Sequence, residues 1–223
     1  MTFLNKGGRL LRCVLFLLST IIDLALIQCI LKYINNNEEE KDKILASRKH
    51  KIIIATIIGI SNLSLAILNY NSIIEYIFST ILIAYLVLSA YIDQMKMIVY
   101  SFLNKGIFII FIVFMIINIY KGINLKIYLY SFLSSLLISY FLFKVRCFGQ
   151  GDAEIIVAIS LFMANKYIIG WNLSYSILNL LLAFFLSALV NLFTILFRPK
   201  NIQKKKAFAP YIMTASLISI IFI

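Results

Sequence analysis

The sequence predicts an all-α integral membrane protein of about eight transmembrane helices, and three observations carry that class. The 223 residues are 62% hydrophobic, with a mean hydropathy of +0.98. Only two prolines interrupt them, and apolar runs of about 18 or more residues recur, each long enough to cross a bilayer as a helix. The net charge of +12 gathers in short clusters between those runs, as cytoplasmic loops require, which excludes a soluble domain and argues against a nucleic-acid surface.

Taken in order, helices are expected over about 10–31, 52–69, 74–92, 106–120, 124–143, 153–170, 175–197 and 208–223. The first run starts basic and continues without a small-residue cleavage site, so it is expected as a retained helix. MIVYSFL at 97–103 is apolar but too short to cross, and is expected at the interface. The whole chain, 1–223, reads as one membrane domain without internal repeats, containing a short polar loop at 32–51 in which NNNEEEKDK is solvated. Eight spans put both termini on one side. If that side is outside, the loops at 32–51, 93–105, 144–151 and 198–206 are cytoplasmic and hold 15 of the 21 Lys and Arg residues; Lys6, Arg9, Arg12, Lys121, Lys126 and Lys166 remain outside.

The acids are the most informative residues, because a charge near hydrocarbon is costly and usually has a task. Of nine acids, Glu38, Glu39, Glu40 and Asp42 belong to the polar loop and Glu75 to the outer start of the third span. Asp23 lies mid-span in LSTIIDLALIQ, where Gln28 or another helix is the expected partner, in a packing or a functional role. Asp93 and Asp152 differ: the expected topology sets both at cytoplasmic helix ends, at the same depth. Two close carboxyls in a partly dry site share a proton, so that one can deprotonate a water while the other donates to a carbonyl. In FGQGDAEII, Gly149 and Gly151 leave room for a tight turn and for close approach of a substrate strand. Asp152 then falls in the first turn of the next helix, where the dipole favours its ionised form. Glycine before a helix is common, and it is the second acid at matching depth that gives GxGD its weight.

These residues resemble the type IV prepilin peptidases, membrane aspartyl proteases of the GxGD class. The resemblance rests on YIDQMKMIV around Asp93, FGQGDAEII around Asp152, and KKKAFAPYI, where Phe208 and Pro210 open the last helix; it covers roughly residues 75–223. It implies that Asp93 and Asp152 are catalytic and that Gly149, Gly151, Phe208 and Pro210 shape the loops or bind substrate. It further implies that a short basic leader is removed from pilin-like precursors at the cytoplasmic face of the cell (plasma or inner) membrane. The chain departs from the family pattern at Val99 and Tyr100, where Ile-Pro is usual, at Glu154, where Lys is usual, and at Ala207, where Pro is common. Larger members carry paired CxxC motifs that bind zinc in the first loop and are associated with methylation. Residues 32–51 contain no cysteine, so neither metal nor other cofactor is expected.

Glu154, two residues along a helix from Asp152, should point about 200° away and is expected to pack or to lie at the interface. His50 in RKHK is read as a solvated juxtamembrane residue, Lys204–Lys206 as a topology signal meeting anionic lipid, and the Phe and Tyr residues as packing or interfacial anchors. The three cysteines form no disulfide or metal spacing. The rival readings are a proton-coupled transporter, a presenilin-like intramembrane protease and an inactive relative that binds pilin-like segments; oligomeric state stays open.

Overall fold

The computed structural model describes residues 6–39, 43–44, 46–68, 72–164, 175–197 and 207–222. Among these there are eight helices and no strand: α1 Lys6–Asn37, α2 Arg48–Leu68, α3 Ile73–Lys96, α4 Ser101–Tyr120, α5 Leu125–Lys144, α6 Gln150–Met163, α7 Tyr175–Phe197 and α8 Ala209–Phe222. By length and composition, five can cross a membrane: Leu11–Asn37 within α1, and α2 to α5; the apolar stretches Ile177–Phe193 and Ala209–Ile221 are shorter. The chain is a polytopic membrane protein.

Two boundaries correct the sequence expectation. Ser101, Phe102 and Leu103 open α4, so only 97–100 of the expected interfacial stretch lies outside a helix. The polar pair Asn104–Lys105 imitated a loop, yet Asn104 is buried inside the helix. The polar loop also begins later than Asn35, because α1 runs on to Asn37. Asn35 instead pins the connection: its amide donates to the Ile44 carbonyl at 3.1 Å while its Oδ1 accepts the Ile44 N–H at 2.7 Å. Glu40, Asp42, Lys166, residues 165–170 of the expected sixth span, and Lys204–Lys206 lie outside the described residues.

The chain divides into two compact units, one of residues 1–88 with 220–223 and one of 89–219. In the first, polar side chains tie helices together. Asn62 on α2 donates to Asp23 Oδ2 on α1 at 2.8 Å, both buried, and Ser19 on α1 meets the Tyr76 hydroxyl on α3 at 3.0 Å. Asp23 thus bonds to another helix, one of the two partners expected for it. Leu17, Leu18, Ile21 and Ile22 on α1 are exposed, as lipid-facing positions are.

The second unit is built around α6, which packs against α4, α5 and α7. From Ile155 to Met163 nearly every residue is buried, the pattern of a helix enclosed on all sides. Phe162 lies between Phe111 and Phe114 of α4, with ring centroids 5.3 and 5.1 Å away, and Ser131 of α5 donates to the Ser160 carbonyl at 3.0 Å. Asn179 of α7 donates to Ser216 of α8 at 2.7 Å. This scaffold holds three helix N-termini, those of α4, α6 and α8, near which the acids of the site collect.

Candidate active site

Asp93 stands in the last turn of α3 and is 6% exposed. Its carbonyl accepts the Met97 N–H at 2.8 Å, and Met97 closes the helix with a left-handed φ of 56°. α5 ends in a Schellman motif: Arg146, φ 61°, donates to the Phe143 carbonyl at 2.9 Å and Cys147 to that of Leu142 at 3.0 Å. Gly122 fills the same position at the end of α4 without steric cost. Among the described residues, Met97 and Arg146 are the non-glycine residues with left-handed backbone. Such conformers cost about 1–3 kcal/mol each and collect at functional sites. One follows Asp93 by four residues and the other precedes Asp152 by six.

The Asp93 carboxylate faces the start of α8. Its Oδ2 accepts the Ala209 N–H at 3.0 Å, and the Phe208 N–H is a second donor to the same group. Asp93 therefore supplies the N-terminal acceptor that a phenylalanine at the N-cap cannot provide. Pro210 follows in the first helical turn, where a missing N–H leaves no bond unmade. The Phe208 ring stacks on Phe148 at 5.7 Å and 11° and meets Phe184 of α7 at 5.1 Å.

Asp152 occupies the first turn of α6, ahead of its apolar run. The Gly149 N–H donates to Asp152 Oδ2 at 3.2 Å, one half of a capping box; glycine has no side chain to make the other half. The backbone at Gly149 is extended (φ −76°, ψ 165°), so the tight turn expected of the two glycines is made at Arg146 instead. Gly151 allows a close approach: a Cβ there would lie 2.6 Å from the Cβ of Val99. The segment in contact is the chain's own α3–α4 connection.

Asp93, Asp152, Val99, Gly149, Gly151 and Glu154 line one cavity of about 310 Å³. Asp152 Oδ1 is buried with no hydrogen-bond partner. Burial first, and the charge of Asp93 second, push the Asp152 pKa up to about 6, against the Gly149 hydrogen bond. Loss of solvent thus works against the helix dipole, which was expected to favour the ionised form of Asp152. Glu154 is engaged on both oxygens: Oε2 accepts from Ser101 Oγ at 2.8 Å and Asn104 Nδ2 at 3.0 Å, and Oε1 from Gln150 Nε2 at 3.0 Å. Among the described residues no cluster of three His, Cys, Asp or Glu side chains is disposed to hold a metal ion.

Of the residues singled out from sequence, Asp93, Asp152, Gly149 and Gly151 meet at this cavity, and Phe208 joins it through the Asp93 hydrogen bonds. Sequence reasoning missed Phe148, Phe184, Ser101 and Asn104. Asn104, a polar residue interrupting an apolar run, was the available signal.

Residues 80–196, just over half of the chain, match the model of the type IV leader peptidase family. No curated protein and no solved structure matches the chain. Both aspartates, the cavity between them and the helix that encloses Asp152 fall within the matched stretch, and the chain belongs to the type IV leader peptidase family, as a membrane-embedded peptidase.

Proposed function

We propose that the protein is an aspartyl endopeptidase that removes a basic leader from pilin-like precursors at the cytoplasmic face of the cell membrane. The observation that carries this reading is the shared cavity, into which α3 and α6 each bring one aspartate near enough for the charge of Asp93 to raise the pKa of Asp152. In the reactive state the pair holds one proton, carried by Asp152. Asp93 takes a proton from a water in the cavity as the water oxygen bonds to the scissile carbonyl carbon, and Asp152 gives its proton to the carbonyl oxygen. The tetrahedral diol then collapses: the C–N bond breaks, the proton gained by Asp93 passes to the leaving amine, and one diol hydroxyl returns a proton to Asp152. Water is consumed and no metal or cofactor enters the balance.

The orientation that faces this cavity to the cytoplasm rests on the distribution of Lys and Arg. Purified protein in lipid, incubated with candidate pilin-like precursors from the same genome, should yield a product whose new N-terminus marks loss of the basic leader. Proton or solute flux without cleavage of any precursor would favour the transporter instead.

A further inference from the structure

Glu154 takes no part in the reaction proposed above, yet three donors hold it. Two of them, Ser101 and Asn104, stand in the first turn of α4, and the third, Gln150, opens α6. Tyr100, the N-cap of α4, makes no side-chain capping bond, so the carboxylate of Glu154 provides the negative group that the start of this helix lacks.

We infer that Glu154 is a positioning residue that clasps the start of α4 to α6 and thereby sets the spacing of Asp93 and Asp152. The inference rests on the aspartate pair of the proposed function. Only residues 97–100 separate α3, which carries Asp93, from α4. That connection is held in three ways: by the left-handed Met97 at its start, by Val99 against Gly151, and by the Glu154 bonds at its end. The Val99 contact is van der Waals packing and lacks direction, whereas the hydrogen bonds define register. Deeper in the unit, Phe111, Phe114 and Phe162 hold α4 on α6 independently, so losing the clasp leaves the fold intact while freeing the end that bears on Asp93. Because its oxygens are engaged, Glu154 acts through the helices and not on the scissile bond.

The test has a kinetic and a structural arm. With a precursor that the parent cleaves, Glu154→Ala should lower kcat about 10- to 100-fold with KM held within about twofold, because a misplacement of about 1 Å costs that much in rate. Glu154→Gln keeps an acceptor for Ser101 and Asn104 and should recover most of the loss. For the structural arm, spin labels are attached at Met95→Cys and the native, exposed Cys147, with Cys13 and Cys29 replaced by Ser. The interlabel distance distribution should broaden or shift in Glu154→Ala and return towards the parent in Glu154→Gln. This arm needs no substrate, so it decides the inference even if the parent proves not to be a peptidase. An unchanged distribution in Glu154→Ala overturns it, as does a raised KM at unchanged kcat, which would put Glu154 on the substrate.

Discussion

Asp93 and Ala209, 116 residues apart in sequence, are joined by a 3.0 Å hydrogen bond from the Ala209 N–H to Asp93 Oδ2. The bond brings the FAP stretch to the site. It also predicts an uncommon use of proline: Ala209→Pro deletes the donor at a helical position that tolerates proline. A hydrogen bond to a charged group contributes about 1.5–3 kcal/mol, so kcat should fall about 10- to 100-fold while the protein still inserts. Ala209→Gly, which keeps the N–H, should stay near the parent; equal losses in both variants would show that the bond is not what matters.

Gly151 has no room for a side chain. Gly151→Ala is expected to destabilise the protein by about 1–3 kcal/mol through overpacking against Val99, and Val99→Gly in the same chain should restore much of that loss. Thermal unfolding of the two variants and their combination measures it, and strict additivity would contradict the contact.

Asp152 links stability to pH. Its folded pKa, about 6, exceeds the ordinary 3.8, so the folded state favours the protonated form. The stability this contributes is fully present below the unfolded pKa and is lost as pH rises through about 6. Asp152→Asn, always uncharged, should therefore melt above the parent at about pH 7.5, with the difference vanishing near pH 4. A variant less stable than the parent at the higher pH would show that the carboxylate is not strained by burial.

Orientation can be read by labelling. In a cysteine-free background, cysteines near Glu40, Lys105 and Lys205 should be shielded from an impermeant thiol reagent applied outside, while one near Gly122 should react. Outside labelling at 205 would reverse the topology.

How far the site was legible follows from what each feature depends on. The eight helices of the described residues could be read from apolar runs, which lipid demands of the five long enough to cross it whatever the tertiary contacts are. The start of α4 could not, since Asn104 looks like loop until Glu154 is seen accepting from it. Asp93 and Asp152 stood out as acids at run ends. Their convergence depends on the approach of Gly151 to Val99 and on the bond from Ala209, distant pairings that no local pattern encodes. The turn before α6 was assigned to glycines, but a Schellman motif at Arg146 makes it, and arginine does not announce a left-handed backbone.

The pairing of Asp93 with Asp152 is tested most directly by cleavage of a pilin-like precursor by Asp93→Asn, Asp152→Asn and the double variant, each purified from the membrane and scored by N-terminal sequencing of the product. Each single substitution removes half of the acid–base exchange, so each should abolish cleavage, and the double variant should be no worse than either, as for groups acting as one unit. Substantial cleavage by Asp93→Asn, or by Asp152→Asn, would contradict the pair.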